Sequence, residues 1–305
     1  MNAFVFPGQG SQFVGMGKAL YEKHPIAKQH FDLANKILGF DITEIMFNGT
    51  DEELKQTKVT QPAVFLHSVI SALCLGQDFN PEMAAGHSLG EISALTATRC
   101  LSFEDGLKLV AARAIAMQKA CEAAPGTMAA IIALADDVVE KICREVSEET
   151  GETVIPANYN CPGQIVISGL KEAVETAAVK LKEAGARRVI PLNVSGPFHS
   201  YLLEEAGEKL GRFLENIPVS EPKIPYVANV TAAYVTKAED VKPLLTRQVS
   251  SSVRWQQSVE TMLADGVDCF IEIGPGKTLA GFIRKINREA TVINIEKFED
   301  LEKLN

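Results

Sequence analysis

Cysteine, positive charge and leader-like character are all scarce in this chain. Its six cysteines (Cys74, Cys100, Cys121, Cys143, Cys161 and Cys269) are widely spaced and form no C-x-x-C pair. They sit mostly among apolar neighbours, the pattern of reduced core thiols rather than of a disulfide framework, so a reducing, cytoplasmic setting is expected. With 30 basic against 39 acidic residues and a formal charge of -9, the chain has no overall basic field for nucleic acid or anionic lipid. Neither is expected as a partner, and an acidic partner must meet a local basic patch. The opening Met1-Asn2-Ala3-Phe4-Val5-Phe6 breaks at Pro7-Gly8 and lacks the basic start and long apolar core of a signal peptide. No apolar run is read as long enough to span a bilayer, and no repeat or low-complexity tract is present.

What the chain does have is a core. Its 305 residues, 46% of them hydrophobic, suffice for one large α/β domain or two smaller ones. The first hundred or so residues alternate strand-like and helix-like pieces: a strand at 3–6, a Gly-rich loop to Gly17, then several helices, the last an apolar one opening around Pro62 and running to Leu75. Ser102 with Asp105 starts a long helix that ends near Pro125-Gly126. From there the pattern reads strand 128–134, helix 137–149, strands 153–157 and 164–168, helix 171–184 and strand 187–192. This β-α-β-β-α-β order is that of a ferredoxin-like unit. The expected architecture is α/β: an α/β-hydrolase-like catalytic domain from residues 1–125 and 197–305, with residues 126–196 inserted as a ferredoxin-like subdomain. The second part of the main domain resumes with a helix from about Tyr201, a strand at 226–229, two helices within 241–263, a strand at 269–273, a helix after Gly276 and a last strand at 291–295.

The most informative stretch is Gly86-His87-Ser88-Leu89-Gly90, between a short apolar run (83–85) and a helical segment (91–98). A G-x-S-x-G pentapeptide between strand and helix is a nucleophile elbow, in which a tight turn projects the serine hydroxyl and small flanking residues let backbones come close. The alternative is a glycine-bracketed structural turn. If Ser88 is the nucleophile, the Leu89 amide at the helix N-terminus points towards the oxyanion formed on the attacked carbonyl.

A serine nucleophile needs a base, and there are five histidines. His24 and His30 fall in N-terminal helices, His67 in the apolar helix, and His87 should point away from Ser88 across the turn. His199 remains, in Ser195-Gly196-Pro197-Phe198-His199 where the inserted unit rejoins the main domain, a place suited to catalytic side chains. Arg113 lies on the apolar stripe of its helix with Leu109, Val110, Ala116 and Met117. A guanidinium cannot stay unpaired in a core, so it either forms a buried ion pair or awaits a carboxylate on the substrate. The loop Pro7-Gly8-Gln9-Gly10-Ser11-Gln12 fails G-x-G-x-x-G at Phe13, and Gly274-Pro275-Gly276-Lys277-Thr278 lacks the first glycine of a phosphate loop, so neither reads as a nucleotide site. The first is better suited to donating a backbone N–H to an oxyanion.

Together with Met117-Gln118, Asn158 and Asn160 before Pro162-Gly163-Gln164, Gln248, Val253-Arg254-Trp255 and Glu272-Ile273-Gly274-Pro275-Gly276, these motifs resemble, in order and over nearly the whole chain, the malonyl-CoA:acyl carrier protein transacylase family. The resemblance implies Ser88 as nucleophile and His199 as base. It implies the Gln9 and Leu89 amides as the oxyanion hole, Arg113 as the partner of the malonyl carboxylate and Gln248 beside the reacting groups. Asn158 and Asn160 match positions that help close the site, and Phe198 one where a phenylalanine accompanies unbranched malonyl units. The partners implied are malonyl-CoA and acyl carrier protein, the chemistry ping-pong acyl transfer without metal or cofactor, and nothing requires more than a monomer. An acidic carrier protein would meet Lys182, Arg187 and Arg188, or Lys277, Arg284, Lys285 and Arg288. One departure is Ser252, where relatives often carry proline; it is expected to loosen the loop near Gln248. The main rival reading is a serine esterase or thioesterase, against which stand the absence of a late histidine after His199 and the presence of Arg113. A transferase-like scaffold without activity is a second rival, disfavoured by the intact serine, histidine and arginine.

Overall fold

A computed structural model describes residues 1–304. The elements up to the small sheet are β1 (Asn2–Phe6), α1 (Lys18–Lys23), α2 (Pro25–Leu38), α3 (Ile42–Asn48), α4 (Asp51–Lys55), α5 (Thr57–Leu75), β2 (Met83–Gly86), α6 (Gly90–Ala97) and α7 (Phe103–Ala123). Then come β3 (Gly126–Ile132), α8 (Asp136–Thr150), β4 (Val154–Cys161), β5 (Gln164–Leu170), α9 (Lys171–Glu183) and β6 (Arg188–Pro191). The chain finishes with α10 (Glu204–Leu214), β7 (Tyr226–Val227), β8 (Tyr234–Val235), α11 (Ala238–Gln248), α12 (Trp255–Ala264), β9 (Cys269–Ile273), α13 (Thr278–Ile286) and β10 (Thr291–Ile295).

The main sheet has the order β10-β9-β1-β2-β7-β8, parallel throughout except for the short β8 edge. Its central strands are buried on both faces, which is why β1 and β2 read as unbroken apolar runs. The fold is thus mixed α/β around a parallel sheet, as the alternation of elements predicts.

The second sheet is antiparallel, in the order β4-β5-β3-β6. Its two faces have different partners. Ala129 and Ile131 of β3 pack with Val139, Ile142 and Val146 of α8 in a separate core, whereas Met128 and Ala130 join the main core. Side chains alternate across a strand, so a continuous apolar β3 is what a sheet covered on both sides needs.

Three local expectations are corrected. The apolar helix begins at Thr57 and takes Pro62 into its interior; the carbonyl that the missing proline N–H leaves without a helical partner is that of Lys58, an exposed residue. Over Thr57–Asp78 this segment is long and apolar enough to cross a bilayer, contrary to the reading that no run approaches that length; 83% of the apolar window is buried inside the fold, so here it is a core helix. His24 caps α2 rather than lying within a helix.

Candidate active site

The Ser88 turn is built by close approach. A Cβ on Gly86 would stand 1.9 Å from the Gly90 carbonyl carbon, and one on Gly90 would stand 2.1 Å from the Phe6 carbonyl oxygen, so glycine alone fits at either position. Ser88 itself has φ 54°, a left-handed conformation a serine adopts only when its surroundings impose it. The restraint comes from Asn229. β7 runs parallel to β2 with Val227 opposite Ala85, which brings Asn229, just past the strand, alongside the turn. Its Oδ1 accepts from the Ser88 amide at 2.8 Å and its Nδ2 donates to the Gly86 carbonyl at 2.6 Å.

His199 meets Ser88 from the other side. Its Nε2 is 2.7 Å from Ser88 Oγ, and Nδ1 lies 2.9 Å from the Gln248 carbonyl and 3.1 Å from that of Ser251. Carbonyls only accept, so Nδ1 carries the proton and the Nε2 lone pair faces the hydroxyl. Two backbone oxygens therefore do the orienting that a carboxylate does in a Ser-His-Asp triad. Burial and then the Arg113 charge push the His199 pKa down to about 3 against the two carbonyls, which keeps the ring neutral and able to accept a proton.

Arg113 is 1% exposed. Its guanidinium donates to Gln61 Oε1 at 2.7 Å, Gln248 Oε1 at 3.0 Å and Ser88 Oγ at 3.1 Å. These acceptors are neutral, and among the described residues Arg113 forms no ion pair, so the buried pair that was one reading of this residue is not made. Burial lowers its pKa to about 10, opposed by Glu91, and the group stays charged at neutral pH. Glu91 is also buried, and desolvation raises its pKa to about 7 against bonds from the Asn229 amide and Gln248 Nε2 and the field of Arg113. Gln248 thus stands between the two charges, its Nε2 on Glu91 and its Oε1 on Arg113.

Ser88 and His199 open into a cavity of about 90 Å³ also lined by Gln9, Asn158 and Phe198. A second cavity, of about 310 Å³, shares Gln9, His87, Asn158, Leu192 and Val194 with it and runs out past Asn160 and Phe282. Among the described residues, the backbone amides of Gln9 and Leu89 donate to no other group of the chain. Asn160 Oδ1 lies 2.8 Å from His87 Nε2, and His87 lines the small cavity together with Ser88 and His199. Ser252 corrects an expectation. Its hydroxyl donates to the Pro156 carbonyl at 2.7 Å, and Val253 exchanges backbone hydrogen bonds with Ala157 and Tyr159, so the loop carrying the His199-orienting carbonyls is pinned to β4 rather than loosened.

Gln61, Glu91 and Asn229 are the residues that sequence reasoning passed over. Gln61 had a usable signal, an amide side chain inside a largely apolar helix, and Asn229 had another, a polar residue just beyond the carboxyl end of a strand in a parallel sheet.

The fold and the site together define an acyl transferase. A family model described as an acyl transferase domain matches residues 3–298. The malonyl CoA-acyl carrier protein transacylase of Bacillus subtilis (strain 168) is 44% identical over 301 residues, covering 98% of this chain and 95% of its own length. The crystal structure of the MCAT of Streptococcus pneumoniae superposes with a TM-score of 0.94 at 44% identity, over 100% of this chain and 99% of that one. A malonyl-transacylase solved in complex with a holo type II PKS acyl-carrier protein gives a TM-score of 0.95 at 38% identity, over 99% and 98% of the two chains. The chain belongs to the malonyl-CoA–acyl carrier protein transacylase family.

Proposed function

We infer that this acyltransferase moves the malonyl group from malonyl-CoA to the pantetheine thiol of acyl carrier protein, for fatty-acid or polyketide synthesis, through a malonyl ester on Ser88. In the first half-reaction His199 Nε2 takes the Ser88 proton as Oγ attacks the thioester carbon. The oxyanion is stabilised by the Gln9 and Leu89 amides. The C–S bond then breaks and the CoA sulfur takes the proton from His199. The carrier thiol repeats the sequence in reverse, which makes the kinetics ping-pong. The observation that carries this reading is Arg113, a buried guanidinium bonded to Ser88 Oγ and, among the described residues, to no carboxylate. It gives a carboxylate-bearing acyl group its counter-charge, for which a neutral ester has no use. Gln248 holds that guanidinium. Asn158 and Asn160 line the way in, and Phe198 occupies space that an α-methyl on the acyl group would need.

The test is to follow transfer from malonyl-CoA to carrier protein against release of free malonate. Transfer should dominate; release as the main outcome would favour the esterase or thioesterase reading.

Arg113→Ala sharpens the assignment. A charge-assisted bond to the substrate is worth roughly 1.5 to 3 kcal/mol, so malonyl transfer should fall by about 10- to 150-fold. Acetyl-CoA should gain relative to malonyl-CoA. Equal losses on both thioesters would make Arg113 structural.

The larger cavity suits a pantetheine arm, and α13, which contributes Thr278, Leu279 and Phe282 to its lining, also carries Arg284 and Lys285. Arg187 and Arg188 before and in β6, and Lys277, Arg284, Lys285 and Arg288 in and beside α13, are exposed and form no ion pair among the described residues. Lys285 Nζ lies 3.5 Å from Gln164 Oε1, and Gln164 lines that cavity. We place acidic carrier-protein docking here; Lys182 and Arg284 each also donate to a backbone carbonyl, of Arg187 and Val292. Charge reversal at Arg187 with Arg188, or at Arg284 with Lys285, should raise the apparent KM for carrier protein several-fold while leaving acylation by malonyl-CoA unchanged. Added salt should weaken docking of the native enzyme. Unaltered carrier kinetics in both double variants would move the docking surface elsewhere.

The same reading makes the main layer α/β-hydrolase-like, from residues 1–125 and 197–305, with residues 126–196 as an inserted ferredoxin-like subdomain. The strand–Ser88 turn–helix unit and the β-α-β-β-α-β order with its separate core support this division. The cysteines are all unpaired, which agrees with a cytoplasmic enzyme, and one copy of the chain carries every residue assigned here.

A further inference from the structure

We propose that Asn229 is a positioning residue for the acyl transfer: its carboxamide clasps both sides of the Ser88 turn and so sets the direction of the nucleophile and of the oxyanion-binding Leu89 amide. The inference rests on the reading of Ser88 as nucleophile.

Asn229 has no exposed surface and every polar atom of it is engaged. Besides the bonds to the Ser88 amide and the Gly86 carbonyl, Oδ1 accepts from Gln248 Nε2 at 3.1 Å, the backbone N–H donates to Glu91 Oε2 at 3.0 Å, and the carbonyl accepts from the Arg254 amide at 3.0 Å. The orientation of the carboxamide is fixed by its neighbours, since the Ser88 amide can only donate and the Gly86 carbonyl can only accept. Ser88 sits at φ 54° between these two anchors. Left-handed backbone costs a non-glycine residue free energy and persists only where surrounding bonds over-determine it. The glycines at 86 and 90 permit the turn, and the Asn229 clasp selects it. Release of the clasp lets the Ser88 peptide rotate, which carries the hydroxyl off His199 Nε2 and swings the Leu89 amide off the oxyanion position together. A displacement of about 1 Å at reacting atoms costs about a hundredfold in rate.

Asn229→Asp separates positioning from mere support. Protonated, an aspartic acid matches the carboxamide in shape and in bonding, accepting from the Ser88 amide and donating to the Gly86 carbonyl. Ionised, it repels that carbonyl. The charged and titratable groups around it are Glu91 from α6, which with burial favours the protonated form, Arg113 from α7, which opposes it, and His199, Tyr226 and Arg254 nearby. The active form is therefore the protonated one, present below the pKa of the new carboxyl and lost as pH rises through it.

The experiment measures single-turnover malonylation of Ser88 across pH for the native enzyme, Asn229→Asp and Asn229→Ala, with folding checked by circular dichroism. Asn229→Ala should acylate about ten- to a hundredfold more slowly, with its malonyl-to-acetyl preference kept because Arg113 is untouched. Asn229→Asp should approach the native rate at low pH and gain a descending limb, absent from the native profile, that falls to the level of Asn229→Ala. The proposal is overturned by an Asn229→Asp profile of native shape, by an Asn229→Asp protein that is folded but inactive at every pH, or by native rates in Asn229→Ala. Should the alanine variant not fold, the aspartate profile decides alone. Failure of the underlying reading looks different: no malonyl adduct forms on Ser88 of the native enzyme.

Discussion

Ser88→Ala is expected to abolish acyl-enzyme formation outright while leaving the fold in place. Among the described residues no other hydroxyl lies against His199 Nε2, so none is placed to take over the attack. The turn survives because its geometry is imposed by Gly86, Gly90 and Asn229 rather than by the hydroxyl, and alanine at φ 54° is no larger than serine. Intact-mass spectrometry after mixing with malonyl-CoA should show a malonyl adduct on the native protein and none on the variant. An undiminished adduct on Ser88→Ala would remove Ser88 from the mechanism and, with it, every role argued around it.

Replacing His199 by alanine should slow both half-reactions, since the ring takes a proton in one direction and returns it in each. Loss of a general base commonly costs about a hundred- to ten-thousandfold. Rapid-quench acylation at the native rate in a well-folded variant would require another base. The pH dependence carries a second test. Because the folded-state pKa of His199 lies near 3, well under its ordinary 6.5, the unprotonated base persists in the free enzyme as pH falls through 6.5. The kcat/KM profile for malonyl-CoA should accordingly lack an acid limb at the usual histidine value. Stability behaves oppositely: the unfolded chain takes up a proton below about 6.5 and the buried ring does not, so the folded state loses ground between that pH and about 3. His67, wholly buried with its pKa lowered to about 4 by desolvation, adds to the same acid sensitivity. A substrate carboxylate on Arg113 offsets the positive field that helps to depress His199, so the base strengthens when the cognate acyl group is bound.

The parts of this enzyme that were legible in the sequence are those whose physics is local. A glycine pair around a serine between strand and helix gives the Ser88 turn, because the sterics that demand glycine act within five consecutive residues. Helical phase puts Arg113 on a buried stripe, and alternation of strand and helix signals gives the strands of both sheets except the two-residue edge β8, with β9 and β10 at Cys269–Ile273 and Thr291–Ile295. Elimination among the five histidines led to His199 without any distance information.

What the tertiary structure decided are relations between residues far apart in the chain. Asn229 clasps a turn 141 residues away, and Gln61 holds a guanidinium 52 residues away. Neither pairing leaves a periodic trace, since each depends on which strands lie side by side rather than on spacing. The orienters of His199 are backbone carbonyls at Gln248 and Ser251, and every residue has one, so no side-chain pattern could have singled them out. Ser252 makes the same point: whether it loosens or ties its loop depends on a carbonyl at Pro156 that only the docking of β4 brings within reach. Local sterics and periodicity are written in the order of residues, whereas which buried donor meets which acceptor is fixed only when the sheets and helices pack.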